Sequence, residues 1–154
     1  MPYIKKTLTS DESIIEFQRF HWIYLVSPII LLVLSSYLFV SSMLTEEMIE
    51  DMPFVPFIFA FVPIYFLCQL FSRLITYYTT EQVLTNKRVC LKTGFIRRDT
   101  DELLKEKIET VSIKQSILGR ILRFGDIEFT GTGGIHITFT YITNPTKVKK
   151  KFDM

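Results

Sequence analysis

Apolar residues fall along this chain in two rhythms. From Phe20 to Thr45, 26 residues, no side chain is charged, and the run from Trp22 to Leu44 is apolar on every side of a helical wheel, relieved only by serines and two tyrosines. A second uncharged run of 21 residues extends from Met52 to Ser72. Each exceeds the about 20 apolar residues that cross a bilayer, and a chain of 154 residues has no core large enough to bury two such helices. The first run is also too long for a secretory signal and is followed at once by the second. The pattern predicts two antiparallel membrane-spanning helices, with Pro53 and Pro56 in the first turn of the second and Pro63 bending its middle.

Beyond the second run the period shortens to two. Val89, Leu91 and Thr93 are predicted on one face of a strand, with Arg88, Cys90 and Lys92 on a solvated face. Likewise Ile135, Ile137, Phe139 and Tyr141 alternate with His136, Thr138 and Thr140. Turn residues set the strand limits at 76–84, 88–93, 95–104, 108–113 and 127–131, with a sixth from Ile135 onward, and Gly94 and the run 131–134 at reversals. Glycines at 119 and 125 make 115–125 a short helical turn. Asn144-Pro145 announces a closing helix. The expected fold class is a membrane α-helical hairpin plus a mainly-β barrel of about seven antiparallel strands capped by a C-terminal helix. The expected divisions are an N-terminal segment 1–19, spans 20–44 and 52–73, a connector 45–51, and a domain 74–154.

Composition changes this picture only when resolved along the chain. The net charge is +2, yet residues 73–154 carry 15 basic and nine acidic side chains. The connector holds Glu46, Glu47, Glu50 and Asp51 without a cation, whereas Lys5, Lys6 and Arg19 precede the first span and Arg73 closes the second. The positive-inside rule then places both termini in the cytoplasm, in the inner (cytoplasmic) membrane, with the acidic turn outside. Trp22, Tyr24, Tyr77 and Tyr78 suit aromatic belts at the headgroups, Tyr77 and Tyr78 equally suiting packing against the domain.

The series Thr85-Asn86-Lys87-Arg88-Val89, Lys92-Thr-Gly94, Lys107-Ile-Glu-Thr-Val111, Gln115-Ser-Ile-Leu-Gly119-Arg-Ile-Leu122, Phe124-Gly-Asp-Ile127, Gly131-Thr-Gly-Gly134 and Ile142-Thr-Asn-Pro145 occurs in that order. It closely resembles the bacterial pleckstrin-homology (PH)-like domain of small membrane proteins that carry a helical hairpin before it, and Leu8-Thr-Ser-Asp-Glu12 with His21-Trp22 is similar to the family's entry to its first span. The resemblance implies a PH-like barrel, membrane attachment and no catalytic residues.

Candidate chemistry is sparse. Gly131-Thr-Gly-Gly134 lacks the Lys-Ser/Thr of a phosphate loop and precedes a strand, so it is a hairpin turn. Asp99, Asp101 and Glu102 sit on a polar strand, which suits a solvated face better than acid-base work. Cys68 and Cys90 lie in different regions, giving no disulfide; no catalytic, metal or cofactor set is expected. His21 is read as an interfacial anchor and His136 as a surface strand residue. Juxtamembrane cations gain about 1 kcal/mol each at an anionic leaflet, so Lys87, Arg88, Arg97, Arg98, Lys147, Lys149, Lys150 and Lys151 are the candidate contacts to anionic lipid or a protein partner. For the lysines of the terminal helix, simple satisfaction of the positive-inside rule is the favoured of the two readings. Interleaved acids weigh against nucleic acid. The function expected is a non-enzymatic binding or scaffold module at the cytoplasmic membrane surface. The alternative is a structural or transport subunit, a homo-oligomer packed through Ser35, Ser36, Ser41 and Ser42.

Overall fold

The computed structural model describes residues 4, 7–44 and 54–153, so the acidic connector and Pro53 lie outside the described residues. The chain divides into two compact units, residues 22–75 and residues 1–21 together with 76–154.

Among its described residues the first unit holds helix α1 (Ile23–Leu44) and all but the last turn of α2 (Val55–Thr79). Both are long and apolar enough to cross a membrane, and among the described residues 11% and 0% of their most apolar windows are buried. Pro56 lies in the first turn of α2, and Pro28 and Pro63 lie inside helices that continue past them. The serine hydroxyls turn back to their own helix: Ser35 and Ser36 donate to the Leu32 carbonyl, Ser41 to Leu38 and Ser42 to Phe39. These four serines therefore satisfy their donors within their own helix. Arg73 near the end of α2 donates to the Tyr24 carbonyl at 3.1 Å and covers the Tyr24 ring, so the helices run antiparallel.

The second unit holds two antiparallel sheets. One has the order β1 (Ile14–Gln18), β2 (Glu81–Thr85), β3 (Arg88–Thr93) and β4 (Asp99–Leu104). The other comprises β5 (Ile108–Lys114), β6 (Phe124–Gly131) and β7 (His136–Thr143). A short helix α3 (Ile117–Ile121) joins β5 to β6, and α4 (Pro145–Asp153) closes the chain. Among the described residues, seven strands and the closing helix agree with the expectation; the limits of several differ. Strand β1 comes from the segment expected merely to precede the helices. The stretch 76–79 continues α2, its Thr80 amide bonded to the Thr76 carbonyl, so the first strand after the helices is only Glu81–Thr85. Residues 95–98 form a loop before β4, whereas β6 begins earlier than expected, at Phe124.

Between the sheets lies the core, made of Leu84, Val89, Leu103, Ile127, Phe129, Ile137, Phe139 and Ile142. Val148 and Phe152, four residues apart on one face of α4, cover its open side. The alternation expected of β7 breaks at Tyr141, whose φ of 50° shifts the register so that Ile142, 0% exposed, takes the inward place. Ile135, 55% exposed, belongs to the turn before it.

The face of β3 expected to be solvated is covered. Val83 and Cys90 pack with Ile4, Ile14 and Phe17 of the N-terminal segment. Lys92 is 7% exposed and donates to the Thr79 carbonyl at 2.7 Å. The N-terminal segment thus covers the outer face of the sheet at β2 and β3.

Candidate contact surface

Strand pairing gives the domain two ends. Glu81 pairs with Lys92, Thr93 with Asp99 and Gln18 with Gln82, so the loop 94–98 lies at the end where β1 finishes and β2 starts. Phe20 bridges Ile142, the His21 amide donates to the Tyr141 carbonyl at 2.6 Å, and the His21 ring stacks on Phe124, which brings the start of β6 and α3 to the same end. This is the junction end, where the chain leaves for α1 and returns from α2. At the distal end are the Asn86-Lys87 turn, residues 105–107 and the turn 132–135.

The eight cations singled out from sequence do not form one patch. Lys87 and Arg88 are distal, Arg97 and Arg98 are at the junction end, and the four lysines of α4 lie between. Lys87 is exposed and lines an open depression of about 490 Å³ together with Asn86, Leu104, Lys105 and Glu106.

Arg88, its side chain 16% exposed, is engaged with partners inside the domain. It makes an ion pair with Glu12 at 2.9 Å, donates to the Thr7 carbonyl at 2.9 Å and pairs with Glu102. Glu12, its side chain 1% exposed, also accepts from the Thr85 hydroxyl at 2.7 Å. Burial alone raises the Glu12 carboxyl; the bonds from Arg88, Thr85 and the Thr9 amide outweigh it and hold the group below the usual carboxylate range. The bond to Glu12 correspondingly raises the Arg88 guanidinium. The Asn86 amide and side chain bond to Ser13 and Asp11, pinning the N-terminal segment to the β2–β3 turn. Burial pushes the Cys90 thiol up to about 12, an unreactive group.

Among the α4 lysines, Lys149 donates to the Val111 carbonyl at 3.1 Å and Lys151 pairs with Glu16 at 2.7 Å, fastening the helix to β5 and β1. Lys147 and Lys150 point to solvent. Arg97 is exposed and pairs with Asp99 at 3.3 Å, a contact of little energetic weight, and Arg98 beside it is exposed. Asp99, Asp101 and Glu102 are exposed along β4, as a solvated face requires. His136 is exposed and shares a 3.1 Å contact with Thr130; the His21 ring is docked on Phe124. Tyr77 stacks on Phe20, the packing alternative for that residue.

Sequence reasoning missed Lys105, whose Nζ lies 5.1 Å from the centre of the Phe152 ring and whose stem lines the distal depression. Its amide donates to the Lys87 carbonyl, so the two cations are held as neighbours. No local motif signals this, because the pair forms only when β3 and β4 align.

The family model described as bacterial PH domain matches residues 22–152, both helices and nearly all of the domain after them. No curated protein and no solved structure matches the chain.

Proposed function

Because the chain belongs to the bacterial PH domain family, we propose that it is a membrane-anchored, non-enzymatic binding or scaffold module whose helices cross the cytoplasmic membrane and hold the PH-like domain on the cytoplasmic side. The observation that carries this reading is the covalent union of a PH-like domain with two helices whose most apolar windows are, among the described residues, 11% and 0% buried. The orientation is supported by cations at both ends of the hairpin and acids alone in its connector.

Two surfaces are offered to a partner. Lys87 and Lys105 border the distal depression, and Lys147 and Lys150 face outward from α4. Both suit an acidic protein segment or an anionic headgroup. Assembly through the hairpin has less support: Ser35 and Ser42, offered by the sequence for packing between copies, are already buried within one chain.

A photo-crosslinking residue in place of Glu106, in the full chain in native membranes, tests the partner surface. The expected result is a discrete protein adduct that Lys87→Glu combined with Lys105→Glu removes. Adducts to lipid alone, or none, contradict it.

A further inference from the structure

Helix α3 is built inside out for a protein surface in water. Ser116 caps it by accepting from the Gly119 amide at 3.0 Å, and Gln115 donates to the Phe124 carbonyl at 2.9 Å, which fixes the helix against the start of β6. The residue turned inward is Gly119, so close that a Cβ there would lie 2.7 Å from the Phe124 carbonyl oxygen. The residues turned outward are Ile117, Leu118 and Ile121, 81%, 64% and 70% exposed. An amphipathic helix bounded by water does the reverse.

The loop 94–98 repeats the arrangement. Gly94 has a φ of 82°, and a Cβ on it would fall 2.0 Å from the Arg97 carbonyl oxygen, so the chain folds back sharply. That turn leaves Phe95 and Ile96 at 69% and 95% exposure. Both apolar tips lie at the junction end, and both are flanked by arginines: Arg97 and Arg98 after the loop tip, Arg120 and Arg123 in and after α3. Apolar tips beside cations, on the end of a domain from which two apolar helices depart, match the chemistry of a bilayer with anionic headgroups.

We propose that the junction end is a second membrane-contact surface, with Phe95, Ile96, Ile117, Leu118 and Ile121 seated among the acyl-chain boundary and the four arginines on anionic headgroups. The occupant is the lipid surface itself. This rests on the reading that α1 and α2 cross the bilayer, since the chain emerges from those helices at this end. The apolar tips then restrict the domain to one orientation on the leaflet, leaving Lys87 and Lys105 directed at the cytoplasm.

The test uses the full chain in a Cys68→Ser background, reconstituted in vesicles of phosphatidylcholine with phosphatidylglycerol. A polarity-sensitive fluorophore is attached at Ile96→Cys, Ile117→Cys, Lys87→Cys or Leu34→Cys, and quenching by spin-labelled lipids is read. The expected result is deep quenching at position 34, quenching of about twofold or more by shallow labels at 96 and 117, and none at 87. Quenching at 34 without quenching at 96 and 117 overturns the inference while the spanning reading stands. Loss of quenching at 34 removes the spanning reading, and the inference with it.

Discussion

Glu12 and Arg88 show how two residues 76 positions apart tie the ends of a domain together. Removing one member of a buried ion pair strands the other, at a cost of about 3–5 kcal/mol. Arg88→Ala is therefore expected to lower the chemical denaturation midpoint of the detergent-solubilised chain by an amount equivalent to about 3 kcal/mol, given its partial exposure. Lys87→Ala, one residue away in the exposed turn, should change it by less than about 0.5 kcal/mol. Equal effects of the two would refute the internal role of Arg88. The same pair sets a pH dependence. Glu12 has a folded-state pKa below its ordinary value of 4.5, so its stabilising contribution is complete above that pH and is lost as the pH falls through the lowered value. Unfolding midpoints recorded from neutral to acid pH should fall in that range, and Glu12→Gln should flatten the fall.

At the scale of elements, β1 is the piece that sequence could not show. Its five residues, Ile-Ile-Glu-Phe-Gln, carry no turn signal, and their partner β2 lies beyond both helices. The hairpin of β2 and β3 was legible because a two-residue Asn-Lys turn joins strands of matching alternation. So were α3, from Gly119 and Gly125, and α4, from Asn144-Pro145. The limit of α2 was misread because Thr76-Tyr-Tyr-Thr79 has strand propensity, which continuation of an established helix overrides. For the contact residues, composition identified cations but not their direction: Arg88, Lys149 and Lys151 look the same in sequence as Lys87, Lys147 and Lys150. Deleting residues 1–18 should uncover the Val83 and Cys90 face, so Cys90, inert to maleimide in the intact chain, should label in the truncated one. Continued protection of Cys90 would contradict the covering role of the N-terminal segment. Gly94→Ala should destabilise the domain by about 1–2 kcal/mol or more, because strain at positive φ adds to a backbone clash. Gly133→Ala has similar φ but open space around it and should cost less. Thermal scans of the two variants compare them directly.

Across the whole molecule, segregation of charge and apolar surface has more content than their averages. A net charge of +2 divides into two nearly uncharged helices, an acidic connector and a basic tail. Among the described residues the helices are mostly exposed, and the domain after them has the architecture of its family. The strand preceding α1 completes that domain, so a fragment starting at residue 76 lacks part of its sheet and is a poor substitute for the full chain in binding assays. The central claim is a cytoplasmic PH-like domain anchored by a membrane-crossing hairpin. Labelling by a membrane-impermeant maleimide in intact cells tests it most directly, with single cysteines introduced as Glu47→Cys, Lys87→Cys and Lys147→Cys in a Cys68→Ser background. The account predicts labelling at position 47 in intact cells, and at 87 and 147 only after the membrane is opened. Labelling of 87 and 147 in intact cells with protection of 47, or equal labelling of all three, would contradict it.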